Sequence, residues 1–200
     1  MMLPTHVVVG LAVATPLVVA APEYAPAALT GAAIGSVLPD LDMYVGHRRS
    51  LHYPKAYAIA AALAVAGAAV LRTPLVVSVA FLLVAAALHC RMDRYGGGLE
   101  LRPWEKTSER AVYDHVRGRW WTPKRWVRYD GAPEDVLFAT LVGLPLLAVF
   151  DGPFRLVAGG AVLVAVVYGL LRRRLAALAP TVFGSLPERV ATRVPDRYKE

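Results

Sequence analysis

Between Leu38 and His52 the chain reads LPDLDMYVGHRRSLH, so Asp40, Asp42, His47 and His52 fall within one loop's length directly after an apolar stretch. Carboxylates offer hard oxygen donors and imidazoles borderline nitrogen donors, and the two together suit a divalent cation. A second pair stands in HCRMD, where His89 and Asp93 are spaced i, i+4. On a helix that spacing puts both side chains on one face, a turn apart, where two groups of one element can grip one ion. Cys90 is turned about 100° from His89 and is expected against a neighbouring element. His6 follows Thr5, which reads as the N-cap of a first helix. Plain explanations compete: a polar loop at a membrane edge for the aspartates, and a local hydrogen-bonded pair for His89 and Asp93.

The positioning elements are apolar. A content of 56% hydrophobic and 18% charged residues would suit one soluble domain, but the apolar residues come in blocks, which points to a bilayer. The blocks are Val7 to Ala21, Ala25 to Leu38, Ala56 to Leu71, Pro74 to Cys90, Val136 to Phe150 and Phe154 to Leu171. A perpendicular span needs about 20 residues, so the first, second and fifth are marginal and the fourth and sixth the surest. The connectors Pro22 to Tyr24, Arg72 with Thr73, and Asp151 to Pro153 allow only tight helical hairpins. Gly31 and Gly35 form a small-xxx-small pair for close helix packing. The expected fold is therefore all-α: a membrane bundle of about six short helices in three hairpins, with one cytoplasmic insert. Its divisions are helices over 1–90, a Trp- and Arg-rich insert over 91–135, a membrane hairpin over 136–171 and a basic tail over 172–200.

Charge gives this arrangement an orientation. Of 22 Lys and Arg residues, only Arg72 and Arg155 fall on the tight-turn side, leaving 20 opposite. The positive-inside rule makes that opposite face cytoplasmic, both termini included, in an inner membrane with anionic headgroups as partners. The net charge of +7 then needs no nucleic acid to explain it. The single cysteine, Cys90, excludes an intramolecular disulfide. The first 25 residues lack the basic n-region of a secretory signal peptide.

The topology brings His6, Asp40, Asp42, His47, His52, His89 and Asp93 to one membrane face, because Pro39 ends the second block and turns the aspartates out of it. Ionisable groups at that depth are expensive unless paired or coordinating. THVVVG near the start, LPDLD followed by GHRRSLH, and the HxxxD of the fourth block together resemble the YdjM-like family of membrane-bound metal-dependent hydrolases, over roughly Thr5 to Asp93. The resemblance implies a multi-helix membrane protein with a divalent metal site and hydrolase activity. Carried over position by position, it marks His6, Asp40, His52, His89 and Asp93 as metal ligands, with Asp42 and His47 as alternates or as partners that orient a ligand. The family pattern has Thr-His-Ser around the second histidine; here Leu51 and Tyr53 flank His52, so any role of those hydroxyls is lost or displaced.

Zinc, or else manganese or magnesium, held by these groups would activate a water, with Asp42 as general base and Arg48 and Arg49 clamping a phosphoryl oxygen. The catalytic candidates are thus Asp42, His47 and Arg48, and the expected substrate a phosphoester or other lipid-associated small molecule. Membrane anchoring is an equal explanation for the two arginines. The insert holds all four tryptophans, beside basic residues as in RGRWWTPKRW, which suits the lipid interface; Glu105 to Arg117 is expected as a short helix over the metal face, with Gly96 to Glu100 as its hinge. Its eight acidic residues argue against single-stranded nucleic acid. His115 is a possible mobile ligand or, more simply, exposed. The prolines of the tail are expected to prevent a long helix there. The rival class is a non-catalytic membrane protein with a structural metal or a partner-recruiting insert; a small transporter would need ionisable groups at mid-membrane.

Overall fold

A proline stands in the first turn of each of the seven longer helices, where its missing N–H costs nothing and its fixed φ favours helix entry. In the computed structural model, which describes all residues except Tyr44, Asp196, Arg197 and Glu200, these are α1 (Leu3–Ala14), α2 (Pro16–Ala20), α3 (Ala25–Val37), α4 (Pro54–Leu71), α5 (Pro74–Asp93), α6 (Pro133–Val149) and α7 (Gly152–Gly184). A short α8 (Glu188–Ala191) follows. Tight turns pair α2 with α3, α4 with α5 and α6 with α7. The Tyr24 hydroxyl donates to the Arg72 carbonyl at 2.7 Å, tying the first two turns together on one side.

Four segments are long and apolar enough to cross a membrane: Leu3–Ala20, α4, α5 and α7. With 13 and 17 residues, α3 and α6 are shorter than these. Helix α3 stops because Pro39 converts the chain to a 3-10 turn, Leu38–Asp42, which carries both aspartates. Alanines and glycines bring the helices close: Val8, Leu11, Ala28, Ala32, Ala139 and Ala165 are fully buried in one core. A Cβ on Gly31 or Gly35 would run into the backbone of Ser78 or Leu82, so α3 lies directly against α5. Large apolar side chains such as Leu63, Leu156 and Leu170 instead point outward, at 70%, 77% and 76% exposure, an outer surface suited to lipid.

Several expectations need correction. Thr5 is not an N-cap: α1 begins at Leu3, and the buried Thr5 hydroxyl donates to Asp135 Oδ1 at 2.7 Å, joining α1 to α6. The expected helix from Glu105 to Arg117 does not form. After a 3-10 turn at Pro103–Glu105 the chain runs extended into a two-stranded hairpin of β1 (Tyr113–Asp114) and β2 (Arg119–Trp120). Its backbone groups are taken elsewhere, with the Tyr113 amide on the Arg48 carbonyl and the Ala111 amide on the Trp121 carbonyl. Gly96, Gly97 and Gly98 are buried rather than hinge-like, pressed against the backbones of Met1, Arg128 and Ser108. Helix α7 continues through Pro180 to Gly184, with Ala176 and Ala179 buried along it, so the tail expected from Arg172 starts as helix. Asp196, Arg197 and Glu200 of that tail, and Tyr44 of the aspartate loop, lie outside the described residues.

Candidate metal centre

Three elements meet at the end of the bundle opposite the tied turns. The 3-10 turn after α3 supplies Asp40, the loop before α4 supplies His52, and the last turn of α5 supplies His89 and Asp93. One donor atom from each lies within 4.8 Å of all the others. His52 Nε2 is 3.3 Å from Asp93 Oδ2 and 3.7 Å from Asp40 Oδ1; His89 Nε2 is 3.4 Å from Asp40 Oδ1 and 3.5 Å from Asp93 Oδ2. Donors about 2 Å from one tetrahedral ion stand about 3.3 Å apart, so these edges fit a cation at the centre. His52, His89 and Asp93 are buried, while Asp40 keeps some exposure at the mouth.

The nitrogens themselves test the fit. His52 Nε2 and His89 Nε2 are buried and lack a hydrogen-bond partner, an arrangement that costs free energy unless something else occupies the lone pair. Their other ring nitrogens are engaged: His89 Nδ1 with the Ser36 carbonyl at 2.7 Å and His52 Nδ1 with Asp42 Oδ2 at 3.0 Å. Both acceptors fix the Nδ1–H tautomer and leave Nε2 free to ligate, the pattern that orients metal-binding histidines. The two aspartates and two histidines can therefore hold a metal ion.

Asp42 faces inward to the loop rather than to the centre. Besides His52 it accepts from the amides of Arg48, Arg49 and Leu51 at 3.0–3.2 Å, and His47 Nδ1 lies 3.2 Å away. Burial works against its ionisation, but the two histidines and the Leu51 amide outweigh it and hold the carboxyl below the usual carboxylate range. Burial likewise raises Asp40, yet the neighbouring His89 brings it down to about 2. His52 is lowered by burial and raised more strongly by Asp42 and Asp93, with a net upward shift.

The remaining candidates surround this quartet. His6 stacks on His89 with ring centroids 3.7 Å apart, and its Nε2 is 3.2 Å from Asp93 Oδ1, so it reaches the centre through Asp93. Arg48 is buried in a left-handed conformation (φ 58°), its Nε 3.3 Å from Asp93 Oδ2 and its Nη1 donating to the Gly97 carbonyl at 2.9 Å. The Met1 amino group donates to Asp93 Oδ1 at 2.9 Å. His47 is half-buried at the mouth. Arg49 is exposed, with its guanidinium over Tyr113, and His115 is exposed with Nε2 2.7 Å from the Arg49 carbonyl. The Ser36 and Gly97 carbonyls left no trace in the sequence, since any residue carries one.

The insert closes over this face. Lys55 Nζ at the start of α4 pairs with the buried Asp114 at 2.7 Å, and Arg172 of α7 pairs with Asp130 at 2.9 Å. Fold and site together define a class: a helical protein with four helices long and apolar enough to cross a membrane, and a group at one end of the bundle that can hold a metal. Compared with known protein families, curated proteins and solved structures, the chain matches none.

Proposed function

We propose that the protein is an integral membrane metal-dependent hydrolase acting on a phosphoester or other lipid-associated substrate at the cytoplasmic face of the inner membrane. The observation that carries it is the pair of unpartnered Nε2 atoms of His52 and His89, both converging on Asp40 and Asp93, with Asp40 open to a groove. A closed, fully saturated site would suit a structural ion; an open edge suits chemistry. A bound divalent cation supplies Lewis acidity toward a phosphoryl or carbonyl oxygen and a water nucleophile near neutral pH.

The chain's own groups supply the rest. Asp42 and the Ser36 carbonyl keep the two imidazoles in the ligating tautomer, and Arg48 and His6 hold Asp93 in place. A carboxylate has about four lone-pair sites, and five donors approach those of Asp42, so it is spent on the loop. The proton acceptor of this reading is His47, beside Asp42 at the mouth of the groove. Zinc fits the mixed nitrogen and oxygen donors, and manganese also suits them. The cytoplasmic assignment rests on the 20 basic residues on this face.

Metal analysis of the detergent-purified protein tests the site, with about one or two ions expected per chain and none in a His89→Ala, Asp93→Ala double variant. No metal in the unmutated protein would sink the reading. With metal present, turnover of phospholipid or a generic phosphodiester separates the enzyme from a non-catalytic scaffold, whose double variant would lose its fold instead.

A further inference from the structure

A groove of about 850 Å³ runs along α7 from Val157 to Phe183, meets the start of α1 at Leu3 to Val7, and passes the metal quartet on the way. Asp40, Arg48, Asp93, Asp130 and Arg172 line a polar stretch within it. Two arms leave that stretch: one continues along α7 past Leu175 to Phe183, and the other has aliphatic walls, with Val7 on α1 and Val157, Ala161 and Val164 on α7. Gly160 also lines it, and a Cβ there would meet nothing within 4 Å, so the small side chains leave real space. Val157 and Val164 remain 42% and 54% exposed, which means the groove opens sideways, where an apolar helix of this length faces lipid.

The aliphatic arm of the groove is long enough to cross one leaflet. Arg172, which also lines it, is fixed to the polar side through Asp130 and the Leu101 carbonyl. From Arg172 to Val157 the helix descends about 22 Å at 1.5 Å per residue, enough to reach past the middle of a hydrocarbon core about 30 Å thick. The volume lies toward the upper end of the about 300–1,000 Å³ usual for ligand sites. The α7 wall from Val157 to Val164 contains only glycine, alanine, valine and leucine, with no side chain that can satisfy a peptide backbone. Such a wall offers dispersion contacts alone, which suits a hydrocarbon chain.

We infer that the seam between α1 and α7 is a lateral binding groove for one hydrocarbon chain of a membrane phospholipid, which enters from the bilayer and brings its headgroup ester to the metal quartet. The inference rests on the hydrolase reading for the chemistry at the polar stretch, and on the groove alone for the binding. Arg48 and a cation at the quartet would supply positive charge to the phosphate, while the chain fixes which ester bond lies there.

Labelling of the full-length protein in phosphatidylglycerol vesicles doped with a phosphatidylglycerol carrying a photoreactive acyl terminus tests it. Adducts are expected to concentrate on residues 157–164 of α7, and to fall about tenfold in Gly160→Leu and in Ala161→Trp. Either variant decides the matter if the other does not fold, provided metal content is retained. Adducts spread equally over the outward face of α4, at Ile59 and Leu63, would overturn the inference. So would adducts that persist undiminished in a folded variant, or a groove labelled by a second copy of the chain. Labelling needs neither metal nor turnover: a metal-free protein labelled in the groove removes the hydrolase reading and keeps this one, and an active hydrolase labelled evenly does the reverse.

Discussion

His52 Nδ1 lies 3.0 Å from Asp42 Oδ2, and the same carboxylate takes the amides of Arg48, Arg49 and Leu51. One side chain thus shapes the loop and aims its histidine. Asp42→Asn keeps the volume but offers an amide N–H where an acceptor is needed, so metal affinity is expected to drop about 10- to 100-fold. Competition titration with a chromophoric chelator measures this. An unchanged affinity would separate the loop from the metal.

Gly35 of α3 faces the Leu82 carbonyl of α5 with no room for a Cβ. Gly35→Val should push the helices apart and, through the Ser36 carbonyl, disturb His89. The expected cost is at least about 1–3 kcal/mol, the range for overpacking, read as a lower unfolding midpoint in detergent together with weaker metal retention.

Arg172 is 7% exposed and pairs with Asp130, which it holds below the usual carboxylate range against the opposing effect of burial. Arg172→Ala leaves the half-buried Asp130 without its cation and should cost about 1–3 kcal/mol. Arg172→Met combined with Asp130→Asn should cost clearly less, because no buried charge is left behind. Thermal unfolding of the three proteins in one detergent compares them.

The Lys55 and Asp114 pair makes attachment of the hairpin sensitive to acid. Burial raises the Asp114 carboxyl, but Lys55 and Trp121 outweigh it and the net shift is downward. A depressed carboxylate contributes stability that is present above its unfolded value, about 3.9, and is lost as pH falls through the lower folded value. Trp121 Nε1 donates to the same carboxylate at 3.1 Å, so its fluorescence should change on acidification below about pH 4. In Asp114→Asn that acid transition should be absent.

The orientation is testable at Glu109, an exposed residue of the insert. Cys90 is buried, so Glu109→Cys provides a single accessible thiol. A membrane-impermeant maleimide should label it in lysed cells and not in intact ones. Labelling of intact cells would place the insert outside.

The sequence by itself determined whatever depends on local spacing and on composition. Proline positions set the helix starts, three connectors too short for anything else set the hairpins, and the i, i+4 spacing of His89 and Asp93 put them on one face. Convergence of Asp40 and His52 with that pair followed from the same topology, because hairpins with tight turns on one side must return their other ends together. Only the tertiary structure decided which groups face the quartet and which support it. Asp42 and Asp40 are two residues apart with the same side chain, and what separates them is where the backbone amides of 48–51 point. The acceptor for His89 is a main-chain carbonyl, invisible in any residue pattern. The insert gave up helix for a hairpin because its hydrogen bonds go to Arg48 and Trp121, partners set by packing. Helix α7 runs through Pro180 with Ala176 and Ala179 buried along it, and so becomes the wall of a groove that passes Asp40 and Asp93.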